Sequence, residues 1–257
     1  MNRISMTTLG ITLGLGLSAA ACSSSSGPTR EQYDDTAQAI AATTATSGGG
    51  GDVASMSDSV TISLGVMPTG FSLMGDGHFH GTRLGVDYNY SLTCKSAAGV
   101  VGVCGPTTDQ ATVQVAWSGN LTSTNADASV TRNGAWSIAG LQSATATFSG
   151  DSTFSFDATL RSIFRPGATA TYSFDASASY DAIKIATQDR LVIGGSASFD
   201  IAAHATVTGA GASNADKSFD VHAQITFHAD HTADLVFDAS QHYSLNLTSG
   251  VVIRVNQ

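Results

Sequence analysis

From Ala111 to Val255 the chain alternates small or apolar residues with Ser, Thr, Asp and His, run after run, with turn residues between the runs. Within this stretch the dipeptide Phe-Asp recurs at Phe156-Asp157, Phe174-Asp175, Phe199-Asp200, Phe219-Asp220 and Phe237-Asp238. A period of two belongs to extended chain, where neighbouring side chains point to opposite faces. Each Phe-Asp pair therefore puts a ring on one face of a sheet and a carboxylate on the other. The pattern predicts one apolar face, with Phe154, Tyr172, Phe174, Phe199, Phe219, Phe237 and Tyr243 on it, and one polar face.

The runs fall at Leu84–Cys94, Gln110–Ser123, Ala128–Leu141, Ala144–Ser149, Thr153–Phe164, Ala168–Ala186, Leu191–Thr208, Phe219–Phe227, Ala233–Leu247 and Val251–Val255. Gly75-Asp76-Gly77 reads as a hairpin turn, and so does Arg132-Asn133-Gly134-Ala135, whose Asn-Gly is the strongest turn signal in the chain. Ser149-Gly150-Asp151-Ser152 reads as a further turn rather than a nucleophile motif, having no matched His. Short connections imply antiparallel pairing between sequence neighbours. The expected fold is all-β, a large antiparallel meander of long strands that closes as a curved barrel or a two-sheet sandwich. One short N-terminal helix precedes it.

That helix is expected over Arg30–Thr44. Thr29-Arg30-Glu31-Gln32 forms a capping box, and Tyr33, Ala37, Ile40 and Ala41 follow at helical spacing. A disordered stalk is the alternative for so thin a stripe. Ser47 to Gly51 is a flexible break, Ala54–Asp58 is ambiguous between helix and strand, and Val60–Val66 is a first strand or a helix end.

Charged residues make up only 12% of the chain, so Ser, Thr, Asn and Asp carry its solubility. Nineteen of the twenty acids are Asp and only Glu31 is Glu, a skew that disfavours a helical protein. A formal charge of −9 with no basic cluster argues against nucleic acid and against electrostatic attachment to anionic lipid.

Arg3, the apolar run Leu9–Leu17 and then Ser18-Ala19-Ala20-Ala21-Cys22 make a short secretory signal, too short to span a bilayer. Small residues ending at a Cys, followed by Ser23 to Ser26, resemble the signal peptide and lipobox of bacterial lipoproteins. The resemblance implies cleavage before Cys22 and a covalent lipid, of the palmitate kind, on it. It places the protein in the cell envelope, with Ser23 favouring the outer membrane of a Gram-negative bacterium. It covers about the first 26 residues; the rest carries no family motif. The expected organisation is a signal peptide over 1–21, a lipidated Cys, polar tether, short helix and Gly linker over 22–51, and an antiparallel β domain over 52–257. With Cys22 lipidated, Cys94 and Cys104 remain to form a disulfide across a Gly- and Ala-rich loop.

Candidate chemistry is sparse. His204, His222, His228 and His242 share the parity of the Asp face. Symmetric loops would set His204 opposite Asp220 and Asp220 opposite His242, a row able to hold a metal or respond to pH. His78 and His80 flank Phe79 on one strand face, with Asp76 nearby, and form a second weak metal candidate. The competing reading is ordinary cross-strand His-Asp complementarity. No phosphate loop, dinucleotide fingerprint or calcium loop is present.

Composition and motifs together point to a lipid-anchored envelope protein without a cofactor. The leading reading is a non-enzymatic structural or binding module with a lipid, glycan or envelope-protein partner. A carrier of a small apolar ligand inside a barrel comes second, and a metal-dependent hydrolase on the His/Asp face third. Intact-mass analysis of membrane-extracted protein is expected to show a chain starting at Cys22 with acyl groups attached. A Cys22→Ser change should release the protein to the soluble fraction.

Overall fold

The computed structural model describes residues 27–46, 51–123, 125–209 and 216–255. Two helices come first: α1 (Arg30–Thr44) and α2 (Asp52–Ser63). Thirteen strands follow: β1 (Phe71–Gly75), β2 (His78–Arg83), β3 (Val86–Ser96), β4 (Val101–Gly102), β5 (Thr108–Thr122), β6 (Ala126–Ala139), β7 (Thr145–Arg161), β8 (Ala168–Ala186), β9 (Val192–Gly209), β10 (Asp216–Phe227), β11 (Thr232–Phe237), β12 (Gln241–Asn246) and β13 (Val252–Arg254). All pair antiparallel in one sheet in chain order, except that β4 branches off β3 and β3 pairs with β5.

The meander is as expected; its closure is not. Among the described residues β1 and β13 do not pair, and there is no second sheet, so the molecule is neither a barrel nor a sandwich. The two helices take the place of a second layer. Twelve of the fifteen residues of α1 and ten of the twelve of α2 are buried, so the sheet wraps them on most sides. Helix α2 also corrects the expected single helix: Ala54–Asp58 and Val60–Ser63 are helical. The two helices are linked tightly. Gly51 caps α2 at a φ of +147°, where a Cβ would lie 2.6 Å from the Ala45 carbonyl oxygen.

The capping box of α1 forms as the sequence indicates, with Gln32 N–H donating to Thr29 Oγ1 and Thr29 N–H to Gln32 Oε1. Its burial has another origin than a Tyr33 and Ile40 stripe. Asp34, Asp35, Thr36 and Gln38 are as buried as the apolar residues, because each meets a polar group from the sheet or its loops. The Gln38 carboxamide donates to the carbonyls of Asn125 and Arg161 and accepts from Ile163 N–H.

Parity along the strands is observed as expected. Phe154, Phe156, Tyr172, Phe174, Phe199 and Phe237 are buried on the inner face, with Phe219 half-buried beside them. Asp157, Asp175, Asp200 and Asp220 face outward. Ring contacts run across the strands from Tyr88 through Trp117 and Phe154 to Phe174, with centroids 5.3–6.0 Å apart.

Two expected turns are strand interior. Arg132-Asn133-Gly134-Ala135 lies in the middle of β6, paired with β5 on one side and β7 on the other. The inward Arg132 is held there by Asp52, and Gly134 lies where a Cβ would meet the Trp136 indole at 2.8 Å. Ser149-Gly150-Asp151-Ser152 lies inside β7, where the pairing with β8 slips between Phe148 and Gly150. Conversely, Ala233–Leu247 divides into β11 and β12 at Asp238-Ala239, both at positive φ (45° and 53°) without a glycine to announce it.

Four helix carboxylates fix the helices to the curl. Asp34 pairs with Arg254, Asp35 with Arg165, Asp52 with Arg132, and Asp58 with Arg83. The Asp52–Arg132 pair, at 2.5 Å, is the most enclosed, with side chains 2% and 1% exposed. Removing one partner of such a pair leaves a lone buried charge, which costs about 3–5 kcal/mol, whereas replacing both by apolar groups is often neutral. Urea unfolding of Arg132→Met is expected to show a loss of about that size, and an Asp52→Leu/Arg132→Met double variant to recover most of it. A double variant as unstable as the single one would remove the pair from its assigned role.

Candidate functional site

Most buried polar side chains of the inner face meet polar partners, although the Trp117 and Trp136 indole N–H groups have none among the described residues. Arg132 donates to Ser152 Oγ at 2.7 Å and to Tyr180 Oη, and Tyr180 donates to Asp52 Oδ2 at 2.5 Å. The Thr36 and Tyr172 hydroxyls share a hydrogen bond, and Tyr243 Oη donates to Asp34. Burial pushes the carboxyls of Asp35, Asp52 and Asp58 above the usual carboxylate range, although Arg165, Arg132 and Arg83 pull the other way. Burial likewise raises Tyr90, Tyr172 and Tyr180. Asp52, Arg132 and Tyr180 are enclosed by the sheet and α2, whereas Asp58 and Arg83 border a small surface hollow. The environment of the enclosed three is that of a packed polar core.

The outer face carries a groove of about 720 Å³ crossing strands β2 to β9. Register brings its lining together from residues far apart in sequence. One row runs His80, Asn89, Ala116, Asn133, Thr153, Ser177, Asp200, with His222 next on β10. The parallel row runs His78, Ser91, Gln114, Ala135, Asp151, Ser179, Ser198. Neighbouring strands lie ~4.8 Å apart, so each row presents a side chain at that interval. The lining contains neither Lys nor Arg, and its acids are Asp151 and Asp200. Elsewhere outward polar side chains bond one another, as Ser155 does to Asp175 and Thr82 to Asp87. The side chains of Asn89, Gln114, Asn133, Thr153 and Ser177 have no hydrogen-bond partner among the described residues, so their donors and acceptors face the groove unused.

The expected histidine row does not assemble. His204 lies opposite Ser218 on β10 and Ser173 on β8, and Asp220 lies opposite Ala202. His242 is on β12, opposite Val236 of β11 and one strand removed from Asp220. The register expected from symmetric loops is two residues off between β9 and β10, and it overlooks the turn at Asp238-Ala239. The pairs that do form are His204–Asp216, His222–Asp200 and His228–Asp234, each 2.9–3.0 Å and exposed. His78 and His80 lie at the β2 end of the two rows. No group of three metal-ligating side chains is found among the described residues. Cys94 and Cys104 form the expected disulfide, and Cys22 lies outside the described residues.

The groove had no signature in the sequence, because its residues are ordinary surface types in any one strand. Only register makes them neighbours. The one available signal was the scarcity of charge on outward positions of β5 and β6, where Thr112, Gln114, Ala116, Asn133, Ala135 and Ser137 stand.

The raised carboxyls carry a pH consequence. Between the ordinary carboxylate pKa and their higher folded values, the folded state holds protons that the unfolded chain has released. Their contribution to stability is therefore full at low pH and falls as pH rises through that window. The urea midpoint should not fall as pH is lowered from 7 to 5, and Asp52→Asn should flatten whatever rise is seen. A midpoint that drops over that interval would contradict the assignment. No family model, curated protein or solved structure matches this chain.

Proposed function

We propose that this chain is a lipid-anchored cell-envelope protein acting as a non-enzymatic binding module, and that the transverse groove on its outer face takes an uncharged, polyhydroxylated ligand, a glycan segment. The observation that carries this reading is the set of carboxamides and hydroxyls lining the groove that have no hydrogen-bond partner among the described residues. Amides and hydroxyls both donate and accept, which suits sugar hydroxyls, whereas the lining has no cation for an anionic ligand and two carboxylates that repel one. The floor, with Ala116, Ala135 and Ala178, adds apolar surface on which the C–H face of a sugar ring can rest. The anchor on Cys22 rests on the lipobox resemblance.

One observation favours the apolar-carrier reading as a second possibility. The helices occupy the space inside the curl, but a cleft of about 570 Å³ opens between α1 and β13, lined by Leu121, Ala126, Ile163, Phe164 and Val252. An acyl-sized ligand would bind there rather than in a barrel lumen.

Neutral polysaccharides presented on an array should retain the wild-type protein. Asn133→Ala should weaken retention by roughly two- to tenfold, the worth of one hydrogen bond, and Ala135→Trp should abolish it by filling the groove. Both positions face outward, so unfolding midpoints should stay near wild type. Retention that survives Ala135→Trp would place the ligand elsewhere. Displacement of a bound apolar dye by fatty acids, lost in Phe164→Asp, would favour the cleft.

A further inference from the structure

The chain between the disulfide cysteines is unlike the rest of the surface. Residues 97–103 read Ala-Ala-Gly-Val-Val-Gly-Val, without a polar side chain, and all are exposed, Val103 at 97%. Gly65, which precedes the exposed Val66 and Met67, lies against Gly105 just past the hairpin, where a Cβ would sit 2.8 Å from Gly105 Cα. Exposed aliphatic residues scattered singly are ordinary; a contiguous set at one tip is not.

We propose that this disulfide-clamped hairpin is a membrane-inserting tip that enters the interfacial layer of a lipid bilayer, a contact separate from the lipid on Cys22 and from the groove. Three observations select a bilayer as the occupant. First, charge: the chain holds twenty acids, yet none falls between Ser59 and Gly75 or between Tyr88 and Thr108, and Lys95 at the hairpin base is the one charged residue in those segments. This is a part of the surface that an anionic or zwitterionic headgroup layer does not repel, and Lys95 is placed to meet lipid phosphate.

Second, much of the hairpin's backbone is paired within the hairpin, which eases entry into lipid. Cys94 pairs with Gly102 and Lys95 with Val101; Ser96 N–H donates to the Val100 carbonyl, Gly99 N–H to the Ser96 carbonyl, and Val100 N–H to Ser96 Oγ. The Cys94–Cys104 bond holds these arms together. An arm of about three residues reaches ~10 Å, the depth to which interfacial segments bury. Third, the tip lacks what a protein interface uses. It has no Trp, Tyr or Arg to act as an anchor, and a narrow hairpin falls short of the ~800 Å² per partner of a stable complex.

The test uses the whole mature chain with Cys22→Ser, so that no acyl anchor contributes. It should sediment with phosphatidylcholine vesicles containing phosphatidylglycerol. Val100→Asp/Val103→Asp should lower the bound fraction at least tenfold with an unchanged unfolding midpoint, and Lys95→Glu should weaken binding to the anionic vesicles more than to pure phosphatidylcholine. In Val103→Trp the added fluorescence should shift to the blue on mixing with vesicles and be quenched by brominated acyl chains; Trp117 and Trp136 are buried and should not respond. Failure of the Cys22→Ser chain to sediment, equal binding after the double Asp change, or a dimer dissolved by that change would each overturn the proposal. None of these outcomes bears on glycan retention, so the two readings fail independently.

Discussion

Everything in this molecule hangs on carboxylates from two buried helices meeting guanidiniums from the sheet. A helix carrying Asp34, Asp35 and Gln38 among its buried residues has no place in an apolar core, and inward arginines have none in an apolar sheet face. Each makes the other tolerable. The four arginines sit on β2, on β6, just after β7 and on β13. Their distribution ties points far apart along the sheet to the two short helices, and this sets how tightly the sheet curls. A sheet joined edge to edge would need no such ties. Buried ion pairs add little net stability, so their effect here is chiefly to select one arrangement of helix against sheet.

That division of labour separates the two faces. Inside, the Asp52, Arg132 and Tyr180 cluster is paired and shut away from solvent. Outside, the His-Asp pairs are exposed and distributed, while the middle of the sheet presents unused hydrogen-bonding groups in register. Gly150, next to groove-lining Asp151, sits at the slip between β7 and β8. Bulges bend strands and raise their twist, which is how an outward face acquires a hollow.

What the chain declares in its sequence follows the same line. Parity was legible because alternation needs only one strand at a time; the Phe-Asp pairs resolve into inner rings and outer carboxylates at Phe156, Phe174 and Phe199 without any knowledge of partners. The helix cap was legible for the same local reason. What required partners was not. Nothing within α1 marks Asp34 and Asp35 as buried, because their partners Arg254 and Arg165 lie more than a hundred residues away. Arg132 shares the inward parity of Val130 and Trp136, the one available clue that it was buried, but the Asn-Gly after it spoke louder for a turn. The histidine row failed on register, which the glycine-free turn at Asp238-Ala239 concealed.

The pairing of Asp34 with Arg254 spans 220 residues, and that of Tyr33 with Asp238 spans 205. The first described helix thus waits for the last described strands. Until the β12–β13 hairpin arrives, α1 has neither the Tyr243 hydroxyl nor the Arg254 guanidinium to neutralise it, and strands already paired have an unfilled hollow to close around. Loop-closure entropy of this order slows folding and lengthens the life of partly assembled chains. The placement of α1 is therefore paced by the arrival of β12 and β13 rather than by the speed of helix formation.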